Sequence, residues 1–147
     1  MQRIYLTLKN LQKTLPLNPR KIRKIARKVF SVEGAAIYGE VTILFVNDRQ
    51  IKALNNKYAG KDSPTDVLAF DCSDAKDHLC ADIIVSVQTA VVNARHYNTS
   101  PLYEVYLYVV HGLLHLLGYD DTSVATRKKM HQKATCLLRS LAIKASA

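Results

Sequence analysis

Hydrophobic and polar positions alternate with two different periods along this chain, and the changes of period mark out its elements. Residues 3–8 alternate singly, with Ile4, Leu6 and Leu8 on one side, as a half-buried strand does. From Pro19 to about Ser31 the period lengthens. Ile22, Ile25, Ala26, Val29 and Phe30 fall on one face of a helix whose other face is basic. The β-branched and aromatic run 41–46 predicts a strand, and Asp48 is placed to cap a helix reaching about Tyr58 with Ile51 and Leu54 inward. A polar turn over 60–65 containing Pro64 leads to a short strand at 67–70. An Asp- and Lys-rich loop then extends to Ala81, ahead of a strand at 83–87 and a helix to about Tyr97. Ser100 and Pro101 open a fourth helix, and a fifth runs from about Val124 to Leu141 with Met130, Ala134, Leu137, Leu138 and Leu141 inward. Four strands and five helices without regular βαβ alternation predict an α+β fold, formed by residues 1–147 as one domain.

The fourth helix departs from a simple amphipathic pattern. It is apolar almost all round, and its exceptions Glu104, Tyr108, His111 and His115 follow 4, 3, 4 spacing, which aligns them in one polar stripe. Four residues of helix put the two histidines ~6 Å apart along the axis on one face, within reach of one cation. Gly118 then allows the positive φ that ends the helix and reverses the chain, so residues 119–121 can offer a third ligand. The plainer account is a pair of ordinary hydrogen-bonded histidines, but burying the whole stripe without partners would be costly. A metal ion or a watery cleft supplies partners. Zinc proteases of this spacing carry Glu after the first histidine as general base. Gly112 stands there in this chain, which argues for metal-assisted chemistry other than peptide hydrolysis.

Composition refines this picture. The net charge of +9 is segregated: residues 1–32 hold nine Lys and Arg and no acid, residues 122–147 hold six and no acid, and residues 33–121 hold six basic and twelve acidic residues. Basic surfaces flanking an acidic centre fit a polyanionic partner, with a merely solvated helix face as the alternative. Arg20, Lys21, Arg23 and Lys24 form the densest basic cluster. Cys72, Cys80 and Cys136 form no CxxC pair and leave an odd count, which points to free thiols in a reducing compartment. The longest apolar run is interrupted by His111 and falls short of a bilayer span, so a soluble protein is expected. The basic amino terminus alternates as a strand and reads as part of the fold.

HGLLHLLGYD, preceded by IKALNNKYAGKDSPTDVLAF and by ADIIVSV, resembles the YbeY family of metal-dependent endoribonucleases from about Val41 to Asp121. The resemblance implies an α+β fold with a small mixed sheet under helices, and a zinc-type divalent ion held in a cleft. It also implies single-strand-specific cleavage of RNA in maturing the 3′ end of small-subunit ribosomal RNA and in ribosome quality control. A cytoplasmic location follows, with ribosomal RNA, the small ribosomal subunit and its assembly factors as partners and no membrane. The chain departs from the family pattern where a third ligand histidine is replaced by Asp121, where an arginine is replaced by Ala59, and where a glycine is replaced by Ala81.

On this reading His111, His115 and Asp121 are the metal ligands, and two imidazoles with a carboxylate also suit iron or manganese. Asp120 is a candidate base or outer-sphere group, with a turn role as the competing account. Lys61, or Lys57 beside it, takes over part of the phosphate charge left by Ala59, as a point charge rather than a bidentate clamp. Lys57 and Lys61 join Arg20, Lys21, Arg23 and Lys24 as RNA contacts. Thr65 and Asp66 shape the cleft or form a structural turn. His78, His96 and His131 belong to no motif and are read as surface residues. The rival class is a non-catalytic RNA-binding ribosome-assembly factor with a decayed metal site; an RNP-type aromatic signature is absent from the sequence. A hydrolase acting on another substrate is a third class.

Overall fold

The computed structural model describes residues 3–34, 37–63, 65–73 and 78–146. Its elements run β1 (Arg3–Asn10), α1 (Pro19–Glu33), β2 (Tyr38–Val46), α2 (Asp48–Ala59), β3 (Val67–Asp71), β4 (His78–Ser86), α3 (Val87–Tyr97), α4 (Pro101–Leu116) and α5 (Val124–Ser140). The strands form one mixed sheet in the order β1-β2-β4-β3. β1, β2 and β4 are parallel, and β3 pairs antiparallel with β4 at the edge. The α+β class with a mixed sheet and five helices is as expected. The β1-α1-β2 segment, however, is a parallel crossover unit that the irregular alternation of the sequence concealed.

Strand alternation sorts the two sheet faces. Val41, Ile43 and Phe45 of β2 and Leu79, Ala81, Ile83 and Val85 of β4 point into the main core against α1, α3, α4 and α5. Leu44, Ile84, Leu68 and Phe70 point the other way, where Ile51 and Leu54 of α2 cover them. β4 begins at His78, well before the expected 83. Leu79 and Ala81 are core residues flanked by the half-buried His78 and Cys80 and the exposed Asp82. Ala and Asp are weak strand formers, so the alternation did not read as a strand. The rest of the expected acidic loop, 74–77, and Pro64 lie outside the described residues.

Caps set the helix starts. The cap of α2 is Asn47 rather than Asp48: its Oδ1 accepts from the Gln50 N–H at 2.9 Å, and the Gln50 Oε1 accepts from the Asn47 N–H at 3.0 Å. Asp48 instead ties α2 to the start of α3, accepting from the hydroxyls of Ser86 at 2.6 Å and Thr89 at 2.5 Å. Ser100 caps α4 with Pro101 in its first turn. α4 is the central helix, buried continuously from Tyr103 to Val110 and again from Gly112 to Leu114. Gly112 is where it touches the sheet. A Cβ there would stand 2.8 Å from Ile83 Cγ2 and 3.3 Å from Val67 Cγ2, so close packing rather than catalysis explains why no side chain follows His111. No helix among the described residues is long and apolar enough to cross a membrane.

Candidate active-site cleft

The polar stripe of α4 divides in two. Its upper half, Glu104 and Tyr108, is satisfied inside the protein. Tyr108 Oη accepts from Asn93 Nδ2 at 2.8 Å and donates to Glu104 Oε1 at 3.4 Å, while Thr99 Oγ1 donates to Glu104 Oε2 at 2.9 Å. Burial pushes the Tyr108 phenol far above its ordinary range. Only the lower half, His111 and His115, faces a cleft, of about 780 Å³.

Three walls converge on that cleft. The edge strand β3 contributes Val67, Leu68, Ala69 and Phe70; the segment before it contributes Ala59, Lys61, Ser63, Thr65 and Asp66; and α4 with the start of α5 contributes His111, Gly112, His115, Asp121, Arg127, Met130 and His131. The loop carrying Lys61 is fixed from below. Gly60 ends α2 in the left-handed region at φ 68°, and the buried Asn55 donates from Nδ2 to the Ser63 carbonyl at 3.0 Å. Asp66 Oδ1 accepts from the Val67 N–H at 2.8 Å and from Thr65 Oγ1 at 3.2 Å, and the Asp66 carbonyl accepts from the Ser86 N–H at 2.9 Å. Asp66 therefore anchors the entry of β3 and also lies on the cleft wall.

On the opposite side the chain leaves α4 through Gly118 at φ 101°, as its position predicted, and the Tyr119 N–H donates to the Leu114 carbonyl at 3.0 Å. The turn is pinned by Tyr119 Oη, which donates to Glu33 Oε2 at 2.7 Å, and Lys133 Nζ lies 2.7 Å from Glu33 Oε1. Burial raises the Glu33 pKa, but the bonds from Lys133 and Tyr119 outweigh it and hold the carboxyl below its usual range. This three-way contact of α1, α5 and the turn lies two residues before Asp121, which lines the cleft.

His111 is the most perturbed group of the site. Burial is the main cause, and the neighbouring His131 adds to it; Asp66 and Asp121 pull the other way, leaving the His111 pKa lowered to about 4. At neutral pH the imidazole is uncharged, the form that binds a metal. Two imidazoles and a carboxylate directed into one cleft are a suitable donor set for a divalent ion. Among the described residues no three His, Cys, Asp or Glu side chains are already gathered closely enough to enclose one.

The other expected site residues divide. Asp120 is exposed and does not line the cleft; its Oδ1 accepts from the Thr122 N–H at 2.7 Å and its Oδ2 from the Thr122 hydroxyl at 2.8 Å, bonds that lower its pKa and give it a turn role. Lys61 is on the cleft wall, whereas Lys57 lies outside it with Nζ 5.2 Å from the Tyr58 ring centroid. Tyr58 is 58% exposed and packs at 4.9 Å on Phe70, a cleft residue. The α1 cluster is elsewhere. Arg20, Lys21 and Lys24 are exposed, and the half-buried Arg23 donates from Nη1 to the Leu6 carbonyl of β1 at 2.6 Å. β1 is the sheet edge opposite β3. His78 and His96 make ring contacts with Tyr38 and Tyr97 and do not line the cleft. His131 is a surface residue, as the sequence predicts, and it also lines the cleft. Arg127, one turn earlier on α5, is the second cleft residue that sequence pattern did not single out. The available signal was that both flank the buried Met130 and Ala134 at helical spacing; their approach to α4 had no local signature.

A mixed-sheet α+β protein with histidines of its central helix opening onto a cation-rimmed cleft is the class that fold and site define. Comparison with known proteins narrows it. A family model described as "Endoribonuclease YbeY" matches residues 7–142. Proteins named Endoribonuclease YbeY include one from Moorella thermoacetica, 35% identical over 84% of this chain and 86% of the relative, and one from Carboxydothermus hydrogenoformans, 35% identical over 91% and 95%. Another, from Anaeromyxobacter sp. strain Fw109-5, is 39% identical over 82% of this chain, which spans 64% of that relative's length. The solution structure of TM1509 from Thermotoga maritima superposes with a TM-score of 0.57 at 26% identity, over 96% of this chain and 91% of that one. The chain belongs to the YbeY family of endoribonucleases.

Proposed function

We propose that this chain is a divalent-metal-dependent, single-strand-specific endoribonuclease that works in the cytoplasm on ribosomal RNA, maturing the 3′ end of the small-subunit RNA and taking part in ribosome quality control with the small subunit and its assembly factors. The observation that carries the reading is that His111, His115 and Asp121 line one cleft together with the cations Lys61 and Arg127, in a chain of the YbeY family. His111, His115 and Asp121 would hold the ion, zinc being the best match to imidazole donors. Such an ion supplies Lewis acidity toward a phosphate oxygen and acidifies water toward neutral pH.

The chain's own residues do the rest. Lys61 and Arg127, from opposite walls, attract the RNA backbone and offset negative charge that grows on the phosphate during cleavage. Arg127 can meet two phosphate oxygens with its planar fork, which Lys61 cannot. The edge strand β3 gives the cleft an apolar floor against which an unpaired nucleotide fits more readily than a rigid duplex.

The test is cleavage of a labelled single-stranded RNA by protein purified without chelator, then stripped and reloaded with zinc or manganese. Activity that disappears with chelator, returns with metal and is abolished in His111→Ala is the expected result. Metal-independent cleavage equal in both proteins would remove the metal role. Binding of RNA with no cleavage under any metal would favour the assembly-factor reading instead.

A further inference from the structure

We infer that His131 is a ligand of the cleft ion, joining His111 across the seam between α4 and α5. The inference rests on the metal-binding part of the reading above, and it adds a donor from a helix outside the histidine motif. The two rings stand with centroids 5.8 Å apart and planes tilted by 53°. An ion bound tetrahedrally by two imidazoles at about 2.0–2.1 Å has ring centroids ~3.2 Å from it and hence ~5.2 Å from each other. The observed pair is within about half an ångström of that spacing, a difference that small side-chain rotations absorb.

The helix carrying His131 is anchored on its inner face, and the His131 side chain projects from its exposed side. Met130, Ala134, Leu137 and Leu138 bury the inner face of α5, which fixes the backbone at His131, and His131 itself is exposed. Arg127 and His131 occupy successive turns of α5 and line the cleft, as His111 and His115 do from α4. The cleft therefore receives an i, i+4 pair from each of two packed helices. The donor set it offers is three imidazoles and one carboxylate, softer and richer in nitrogen than the histidine motif and its turn supply alone. This matters where the motif's own third donor is the exposed Asp121, because a third imidazole shifts preference toward zinc, cobalt or nickel and away from manganese.

Cobalt(II) is the probe, because its visible spectrum and its X-ray absorption report the ligand set independently of activity. Wild-type protein, His131→Ala, His131→Gln and the distant control His96→Ala are titrated with cobalt, with circular dichroism to confirm folding. We expect both His131 variants to bind cobalt at least tenfold more weakly, with an altered visible spectrum and one fewer imidazole in the X-ray absorption fine structure, while His96→Ala matches wild type. Wild-type affinity and spectrum in both His131 variants, with binding lost in His111→Ala, would overturn the inference and leave the metal reading standing. Failure of wild-type protein to bind cobalt or zinc at all would overturn both.

Discussion

At the scale of single residues, His111 gives this protein a defined pH response. Its pKa falls from the usual 6.5 to about 4 in the folded chain, so between those values the unfolded chain takes up a proton that the folded chain refuses. Stability is then fully present above about pH 6.5 and declines as pH falls toward 4. Thermal melts of metal-free protein should show Tm dropping across that window, and His111→Asn should flatten the drop. A pH-independent Tm in wild type would remove the half-buried neutral imidazole from the account. Gly118 is a second decisive residue. A Cβ there meets nothing within 4 Å, yet φ is 101°, so Gly118→Ala should destabilise by about 1 kcal/mol or more through backbone strain alone. Gly112→Ala tests the opposite case, an ordinary helical position with no room, and should cost about 1–3 kcal/mol from overpacking against Ile83. Urea denaturation of the two variants checks both values.

At the scale of elements, the turn after α4 depends on contacts made far away in sequence. Tyr119 and Lys133 meet on Glu33 at the end of α1, and Tyr119→Phe removes a hydrogen bond to a charged group worth about 1.5–3 kcal/mol. That variant should melt earlier and bind metal more weakly than wild type, because the turn it releases carries Asp121. Equal metal affinity would show that the turn's anchoring does not position a ligand. The Glu33 carboxyl, held below its usual value, contributes stability above its unfolded pKa that is lost as pH falls through the folded one. It thus extends the acid sensitivity below the window of His111. β3 is the other element whose placement matters. Its hairpin with β4 brings Cys72 and Cys80 to an Sγ separation of 3.7 Å, a proximity their spacing in the chain did not announce.

At the scale of the whole molecule, the two groups of cations expected to meet RNA are apart. The α1 cluster lies by the β1 edge, and Lys61 and Arg127 line the cleft at the β3 edge. Removing Lys61 or Arg127 should flatten the dependence of log K on log salt, by about 0.7 for each phosphate no longer neutralised, on any single-stranded RNA, short or long. Neutralising Arg20, Lys21 and Lys24 should weaken only RNAs long enough to reach beyond the cleft. Equal effects of the α1 variant on a short oligonucleotide and a long transcript would mean that the two charged regions act as one surface. Arg23 should be left in place in this experiment, since its guanidinium holds a β1 carbonyl.

The sequence by itself determined the elements with strong periodicity and the caps at their ends: the helix over Ile22 to Phe30, the Ser100 and Pro101 start of α4, the reversal at Gly118, and the pairing of His111 with His115 on one helical face. These features arise within a turn or two of chain, where spacing alone fixes which side chains are neighbours. Tertiary structure decided the rest. It sent Glu104 and Tyr108 into an internal network and His111 and His115 into the cleft, although all four share a stripe. It assigned Asp120 to a turn, placed the α1 cluster at the far edge of the sheet, and brought Arg127 and His131 to the site. None of these could be read locally, because each depends on which helices pack together and at what register, and packing of whole apolar faces sets that register with no regard for the polar residues it brings together.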